Sequence, residues 1–228
     1  MTDSDLEWAV DLLTCRREKL VPFAPVYWAP APDAVDRHRV FLRGHLNGEI
    51  AGAIGIRTDH AVLFGLTRPD DSLVLDDVAV TNESYWDPDG RALILAAAGG
   101  SSKVRLVCPT PEYARRACGE SLGLSAVEAW WHRELVPTGH SALGALEVPG
   151  AEVRLVDAPR IYAPGGPIAF VAGFDDEGSL EAAEAVGAAH GAVLSVVSQQ
   201  AGAEQQERIL SARQYVRHCE FLEGVPRS

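Results

Sequence analysis

The sequence predicts an α/β protein, of the α+β type with a mixed sheet. Three observations lead to that prediction. Two segments with helical spacing, residues 5–20 and 33–46, come before three β-patterned segments joined by short turns. Helical and β patterns then alternate to the C-terminus. Part of this order occurs twice, so the 228 residues are expected to form one complete unit followed by a partial repeat.

The first helix has a clear start signal. Ser4 and Glu7 have the spacing of a capping box, which predicts a helix over residues 5–20. The segment that follows, residues 21–32, carries four prolines among aromatic residues and therefore cannot be regular helix.

The second helix has a less obvious apolar face. We expect that face to consist of Val35, Val40, Phe41 and Leu46. His38 falls among arginines and is expected to lie in solvent, although it is also considered for a ligand pocket.

Three strands are predicted next, over residues 49–56, 60–66 and 72–80, and short turns make them an antiparallel meander. Each of the two helices that follow has a capping residue before a proline, Asp87-Pro88 in the first and Thr110-Pro111 in the second. Strands are predicted around them at 104–108 and 125–135.

The strand–helix–strand–helix–strand order is present at 72–135 and again at 167–222. An offset of 89 aligns Val104 with Val193 and Val127 with Val216, although any two βαβ units rich in Val and Ala resemble each other. The predicted domains are therefore residues 1–136, a Gly-, Pro- and Ser-rich linker at 137–150, and a partial repeat at 151–228 that packs on the first domain.

Composition excludes several classes of protein. The net charge of −12, from 32 acidic and 20 basic residues, disfavours nucleic acid as a partner. The acidic start is unlike a signal peptide, and the longest apolar run, 92–98, falls far short of the roughly 20 residues that span a bilayer. The four cysteines form no C-x-x-C pair. We therefore expect a cytoplasmic protein without metal or membrane association.

The element order over residues 5–135 resembles that of the GNAT N-acetyltransferases. The resemblance includes an aromatic stretch at 25–30 and the strand 74–80 followed by Trp86. The family loop pattern, Gln/Arg-x-x-Gly-x-Gly/Ala, is matched at Gly90 and Ala92 and departs at Asp87. Lysine occurs only at positions 19 and 103, and this preference for arginine is typical of a GC-rich bacterial source.

The resemblance implies an N-acyltransferase with acetyl-CoA as co-substrate and a small amine as acceptor. It places the pantetheine arm against the backbone of Val78, Ala79 and Val80. It places the pyrophosphate at a helix N-terminus formed by Gly90, Arg91 and Ala92, where free N–H groups and the helix dipole favour an anion.

Two departures leave a second hypothesis open, a catalytically silent GNAT-like module that binds a ligand or another protein. A capping Asp87 would occupy the N–H groups that a pyrophosphate needs. The position where many family members carry the tyrosine acid is Gly119. The corresponding loop of the repeat, residues 175–178, is short and acidic, so no coenzyme A is expected there.

Asp76 and Asp77 interrupt an apolar strand and are the candidate catalytic residues, one as general base. Strand alternation predicts opposite faces for them, and the alternative is one carboxylate in solvent and the other paired with arginine.

Tyr27 and Trp28 are the candidate acceptor pocket, with core packing as the alternative. Of Trp130 and Trp131, one is expected in the core, and the other is free to meet the repeat or a second copy of the chain in a homodimer.

Overall fold

A computed structural model describes residues 2–99, 101–140 and 142–227. Ser141, inside the predicted linker, lies outside the described residues. The helices are α1 (Asp3–Leu20), α2 (Ala34–Leu46), α3 (Arg91–Ala98), α4 (Tyr113–Ser121), α5 (Glu177–Ala189) and α6 (Glu204–Ala212). The strands are β1 (Ala53–Arg57), β2 (Ala61–Thr67), β3 (Ser72–Val80), β4 (Lys103–Pro109), β5 (Ser125–Glu134), β6 (Gly144–Val148), β7 (Ala151–Val156), β8 (Ile168–Phe174), β9 (Leu194–Gln200) and β10 (Val216–Gly224).

The described residues divide into two compact units, and each is a mixed sheet covered by helices. Unit 1 consists of residues within 1–20, 35–127 and 220–228, and unit 2 of residues 21–34 and 128–219. In unit 1, β1, β2 and β3 form the predicted antiparallel meander, and β3 pairs in parallel with β4. In unit 2, β6, β7 and β8 form a second meander, β8 pairs in parallel with β9, and β9 pairs with β5.

The predicted helix over residues 5–20 is confirmed as α1, but its predicted start at Ser4 is wrong, because the helix begins at Asp3 and the Thr2 hydroxyl accepts from the Asp5 backbone N–H. Leu6, Ala9, Val10 and Leu13 recur at helical spacing and are buried. They pack on one face of the meander, against a cluster that includes Phe64 and Ala79. The opposite face of β3 carries Leu73, Leu75 and Val78 and packs on α3.

The predicted apolar face of α2 is wrong. Val35, Val40 and Phe41 are exposed, and the buried side chains of this helix include His38, Leu42 and His45. Two histidines occupy positions that a hydrophobic pattern assigns to apolar residues, so the buried face carries no hydrophobic periodicity. His38, expected in solvent, is 1% exposed.

The C-terminal repeat is more complete than its sequence indicates. Residues 144–148 lie in the segment interpreted as a linker, yet they form β6 and give the repeat its own meander. Corresponding elements also differ in offset from the sequence alignment: α4 and α6 begin at Tyr113 and Glu204, and β5 and β10 at Ser125 and Val216. The offset is therefore 91, and the sequence alignment at 89 is two residues out of register.

Candidate functional site

The two parallel strands of unit 1 separate part of the way along their length. Ser72 through Leu75 pair with Lys103 through Leu106, and no pairing between the two strands is seen beyond Leu75. A β-bulge lies at the same point, since Gly65 of β2 pairs with Leu75 and Phe64 pairs with Asp77. Asp76 is thus the extra residue, and the second half of β3 is free to diverge from β4.

The bulge also changes where the two aspartates lie. Strict alternation, on which the opposite-face prediction depends, is interrupted, because Leu75 and Val78 face the same core although they are three residues apart. Asp76 and Asp77 lie between them. The guanidinium of Arg16 interacts electrostatically with both carboxylates.

A buried arginine fills the opening between the diverging strands. The side chain of Arg115, the third residue of α4, is fully buried and reaches back to the backbone of β3. Its Nη1 donates to the carbonyl oxygen of Val78 at 3.0 Å, and its Nη2 donates to that of Asp76 at 2.7 Å and of Leu75 at 3.4 Å. The Arg115 Nε is buried without a hydrogen-bond partner. The guanidinium lies 5.7 Å from the centre of the Trp86 ring.

Glu112 balances the positive charge at this opening. Its carboxylate accepts from Arg16 at 2.6 and 3.0 Å and from Arg115 at 3.3 Å. Burial alone would raise the pKa of Glu112, but the two guanidinium groups hold the pKa below its usual value. The expectation that Thr110 caps α4 is wrong, because Glu112 occupies the N-cap position.

Asp77 belongs to a short buried relay. Its Oδ2 lies 3.0 Å from Nε2 of His38, and Nδ1 of His38 lies 2.5 Å from Nη1 of Arg17. Because a guanidinium only donates, His38 accepts at Nδ1 and donates its Nε2 proton to Asp77. Burial opposes ionisation of this carboxyl, but the His38 hydrogen bond and nearby arginines lower the pKa of Asp77 to about 2.

Asp76 has the opposite electrostatic character. Its side chain is accessible to solvent, yet dense protein around the carboxyl and the adjacent Asp77 carboxylate raise its pKa. Of the two candidate bases, Asp76 therefore binds a proton more readily, and Asp77 stays ionised over a wider range of pH.

The segment predicted to hold a pyrophosphate is not a helix N-terminus. Helical backbone begins at Glu83, where the Asn82 side chain accepts from the Ser84 backbone N–H, and it continues through a wide turn over Trp86–Gly90 into α3. The prediction that Asp87 caps a helix is therefore wrong. The backbone N–H of Arg91 is bonded to the carbonyl oxygens of Trp86 and Pro88.

Gly90 has a packing role in this segment. A Cβ at Gly90 would lie 2.6 Å from the Trp86 ring, so a side chain at this position would collide with the indole. The glycine that resembled a phosphate-binding residue is thus required by the contact with Trp86.

Close packing also explains the missing tyrosine. A Cβ at Gly119 would lie 2.8 Å from Leu222 and 2.9 Å from Leu106. Helix α4 approaches the sheet so closely at this point that any side chain would have to displace the core. Tyr113, the one tyrosine in α4, is 75% exposed.

From β6 to α6, unit 2 has the order of strands and helices that unit 1 has from β1 to α4. The first four residues of β8 pair with β9, and the fifth, Ala172, is the extra residue of a bulge against β7. The seventh, Phe174, offers its carbonyl oxygen to the third residue of α6, Gln206, whose Nε2 donates to it at 3.0 Å. In unit 1, Val78 is likewise the seventh residue of β3 and Arg115 the third residue of α4, so the two contacts correspond.

The helix start in unit 2 is closed by its own side chains. Asp176 accepts from the Ser179 backbone N–H at 2.8 Å, and the Ser179 hydroxyl accepts from the Asp176 backbone N–H, which completes a capping box. An open groove of about 1060 Å³ borders this end of β8, lined by the β6–β7 hairpin, Gly173, Phe174, Asp175 and Gln206.

The candidate acceptor residues lie in a buried aromatic cluster of unit 2. The Tyr27 ring lies 3.9 Å from the His218 ring and is tilted 43° to it, and Trp28 meets Tyr162 edge-on at 5.3 Å. The core-packing alternative describes this environment, and a role in an acceptor pocket stays a prediction.

Two buried histidines meet beneath the aromatic rings. His132 and His218 face each other through Nδ1 at 3.3 Å. Burial lowers the pKa of both, and the His218 Nε2 and the Trp28 Nε1 have no hydrogen-bond partner.

Sequence reasoning missed the residues that shape the opening. Arg115, Glu112 and Arg16 are ordinary charged residues of predicted helices, and nothing in their spacing marks them as buried. A usable signal existed only in the position of Arg115, two residues into a helix that follows a buried strand. Within the described ranges, no group of three or more His, Cys, Asp or Glu residues could hold a metal ion, and no helix is long and apolar enough to cross a membrane.

No protein-family model matches the chain, and no curated protein matches it by sequence. Among solved structures, it is similar to a candidate acetyltransferase from Thermoplasma acidophilum, with 17% identity, a TM-score of 0.52 and coverage of 85% of this chain and 84% of that one. A candidate acetyltransferase from Pyrococcus horikoshii is 11% identical, with a TM-score of 0.48 and coverage of 100% and 88%. A tandem GNAT protein from the clavulanic acid biosynthesis pathway is 12% identical, with a TM-score of 0.44 and coverage of 93% and 94%. The predicted fold class is confirmed: the chain has the mixed α/β fold of the GNAT acetyltransferases.

Proposed function

We propose that this chain is an acyl-CoA-dependent N-acyltransferase that transfers an acetyl group from acetyl-CoA to a small amine. The opening between β3 and β4 carries the proposal. There the carbonyl oxygens of Asp76 and Val78 accept hydrogen bonds from N–H groups outside the sheet. An extended chain with amide N–H groups, such as pantetheine, offers the same kind of donor to the same acceptors.

The phosphate end of acetyl-CoA is not supported in the same way. Gly90 and Ala92 lie in continuous helical backbone, and the side chain of Arg91 donates to Ser121 and to the Arg227 carbonyl. The proposal therefore assigns the pantetheine arm to β3 and gives no role to Gly90 or Ala92 in holding the pyrophosphate.

The two aspartates divide the acid–base chemistry. We assign the general base to Asp76, because its carboxyl is accessible and has the raised pKa, and we assign the attraction of the cationic amine to ionised Asp77. Asp76 accepts a proton from the ammonium, and the freed amine nitrogen then bonds to the acyl carbon. As the carbon–sulfur bond breaks, the nitrogen loses its second proton to solvent and becomes the amide nitrogen, and the sulfur leaves as thiolate, which solvent protonates since Gly119 supplies no acid.

Thiol release from acetyl-CoA in the presence of a panel of small primary amines tests this proposal. We expect Asp76→Asn to lower kcat by about 10²–10⁴-fold, the usual contribution of a general base, and to remove the acidic limb of the pH–rate profile. Asp77→Asn should chiefly raise KM for the amine. Amine-dependent thiol release that is equal in the wild type and in Asp76→Asn would contradict the assignment.

A second candidate function is the catalytically silent GNAT-like binding module, and two observations favour it. At the expected phosphate site, Gly90 lies in continuous helical backbone and is not a helix N-terminus. At Gly119, close packing leaves no room for the side chain of a catalytic acid. A thermal shift with free coenzyme A separates the two candidates, because a ligand that binds only the native state raises Tm. The silent module predicts no shift in Tm at millimolar coenzyme A.

A further inference from the structure

We propose that Arg115 controls entry to the opening between β3 and β4, and that its guanidinium must withdraw before a ligand chain binds there. This inference rests on the proposed function for the identity of the ligand. Its geometric basis is independent, because Arg115 already donates to the carbonyl oxygens of Asp76 and Val78 that an entering amide chain would use. A carbonyl oxygen can accept two hydrogen bonds, so the block is steric: the fully buried guanidinium takes the space that the entering amide chain would need beside these oxygens.

The contacts of Arg115 allow its guanidinium to move away from β3. Its Nε is buried and unpartnered, so the closed state leaves one polar group unsatisfied. Glu112 lies one turn earlier in α4, with its carboxylate 3.3 Å from the guanidinium. A withdrawing Arg115 therefore keeps a counter-ion, and Arg16 still balances Glu112 in the closed state.

The repeat supports a blocking role, since it places a side chain at the same point. Gln206 in α6 donates to Phe174 in β8 as Arg115 donates to Val78. The position is thus closed in both units, once by a cation with three backbone acceptors and once by a neutral amide with a single backbone acceptor. Gln206 shows that a glutamine fits this position, and it supplies a matched variant outside unit 1.

Ligand affinity and stability change in opposite directions if Arg115 blocks the opening. The apparent affinity of a protein with a rarely open site is reduced by the open fraction. We expect Arg115→Gln and Arg115→Ala to bind acetyl-CoA at least about tenfold more tightly than the wild type, measured by titration calorimetry, while their Tm falls. Gln206→Ala should leave the affinity unchanged. A residue with a structural role alone would lower affinity and Tm together.

Cysteine labelling provides a test that needs no ligand. Cys108 is buried in the part of β4 beyond the paired residues, and Arg115 is among its charged neighbours. We expect a thiol reagent to modify Cys108 faster in Arg115→Gln than in the wild type or in Gln206→Ala. Cys219, buried in unit 2, should react at the same slow rate in all three chains. Mass spectrometry assigns the labelled site, and equal acceleration at both cysteines would indicate global unfolding and contradict local opening.

The two measurements separate the two proposals. Faster labelling of Cys108 without acetyl-CoA binding in any variant would reject the acyl-CoA function and keep Arg115 as the blocking residue. Binding that is equal in the wild type and in Arg115→Gln, or weaker in the variant, would reject the block and keep the function. Unchanged Cys108 labelling in both Arg115 variants would also overturn the block.

Discussion

Charged residues in unit 1 are held where the fold needs hydrogen bonds, and each is paired in a specific way. Arg115 satisfies carbonyl oxygens that the diverging strand would leave without donors, and Glu112 compensates its charge. In the same strand, the Asp77 carboxylate accepts from His38, and His38 in turn accepts from Arg17. Buried charges persist in proteins only with such partners, because an unpaired charge away from water is costly.

Replacing Asp77 tests the His38 contact through stability. Asp77→Asn is expected to lower the free energy of unfolding by about 1–3 kcal/mol at pH 7, because a hydrogen bond to a charged group in a partly buried site is lost. The folded pKa of about 2 lies below the usual 3.8, so this stabilisation is present above pH 3.8 and is lost as the pH falls toward 2.

Urea unfolding of both proteins between pH 7 and pH 3 measures the effect. The matched control is Asp36→Asn, since Asp36 is an exposed partner of Arg39 in α2 and should change stability by less than about 0.5 kcal/mol. If the Asp77 and Asp36 variants are equally stable at pH 7, the buried relay does not stabilise the fold.

Apart from β6, element boundaries rather than element types separate the sequence prediction from the structure. The pattern at 88–98 predicts a helix, which the structure has, but Asp87-Pro88, a pair that usually marks a helix start, lies inside the helical backbone. Asn82 begins the helical backbone five residues earlier, through a 3₁₀ turn that has no hydrophobic periodicity. A search for capping residues therefore found a plausible start inside an existing helix.

Two substitutions test where that helix begins. Asn82→Ala is expected to cost about 1 kcal/mol, because its side chain accepts from the Ser84 backbone. Asp87→Ala should cost less than about 0.5 kcal/mol, since Asp87 caps nothing in this structure. Chemical unfolding of the two variants compares them directly, and a larger loss for Asp87→Ala would restore the helix start predicted from the sequence.

Helix α4 makes a stability prediction that opposes helix propensity. Alanine at position 119 gains about 1 kcal/mol in propensity over glycine. Contact with Leu222 and Leu106 should cost more, so Gly119→Ala is expected to be destabilised by about 1–3 kcal/mol overall. Gly178→Ala in the first turn of α5, where a Cβ meets only the Asp176 side chain at 3.5 Å, should be neutral or stabilising. A more stable Gly119→Ala, by thermal unfolding, would show that the helix can move away from the sheet.

At the scale of the whole molecule, the duplicated order of elements could be predicted because strand and helix periods differ and both copies are long. The extent of the repeat could not, because β6 lies in a segment whose Gly, Pro and Ser content is typical of linkers. The site was predicted only in part. Asp76 and Asp77 stand out as charges in an apolar strand, whereas Arg115 looks like any helical arginine until the bulge at Asp76 opens the sheet beside it.

The two units should respond differently to acid. His132 and His218 are buried in unit 2 with lowered pKa values, so the native state of that unit holds them neutral. Their unfolded pKa is near 6.5, and the stability of unit 2 is therefore full above that pH and declines as the pH falls below it. The corresponding contribution of Asp77 in unit 1 is lost only below pH 3.8.

Tryptophan side chains report on this difference. Trp28, Trp130 and Trp131 belong to unit 2, and Trp8 and Trp86 to unit 1. We expect the indole N–H signals of unit 2 to lose dispersion between pH 6.5 and 4.5 while those of unit 1 persist, as followed by NMR. His218→Phe should move the transition of unit 2 to lower pH. Simultaneous loss of all five signals at one pH in both proteins would contradict the prediction.

Hydrogen exchange with acetyl-CoA tests the central claim most directly, namely that the diverging strands of unit 1 are the ligand site. Peptides covering residues 76–80 and 107–118 should be protected by acetyl-CoA, and more strongly in Arg115→Gln than in the wild type at the same concentration. Peptides covering residues 172–176 of unit 2 should exchange at an unchanged rate. Protection confined to unit 2, or no protection in either protein at millimolar acetyl-CoA, would contradict the account.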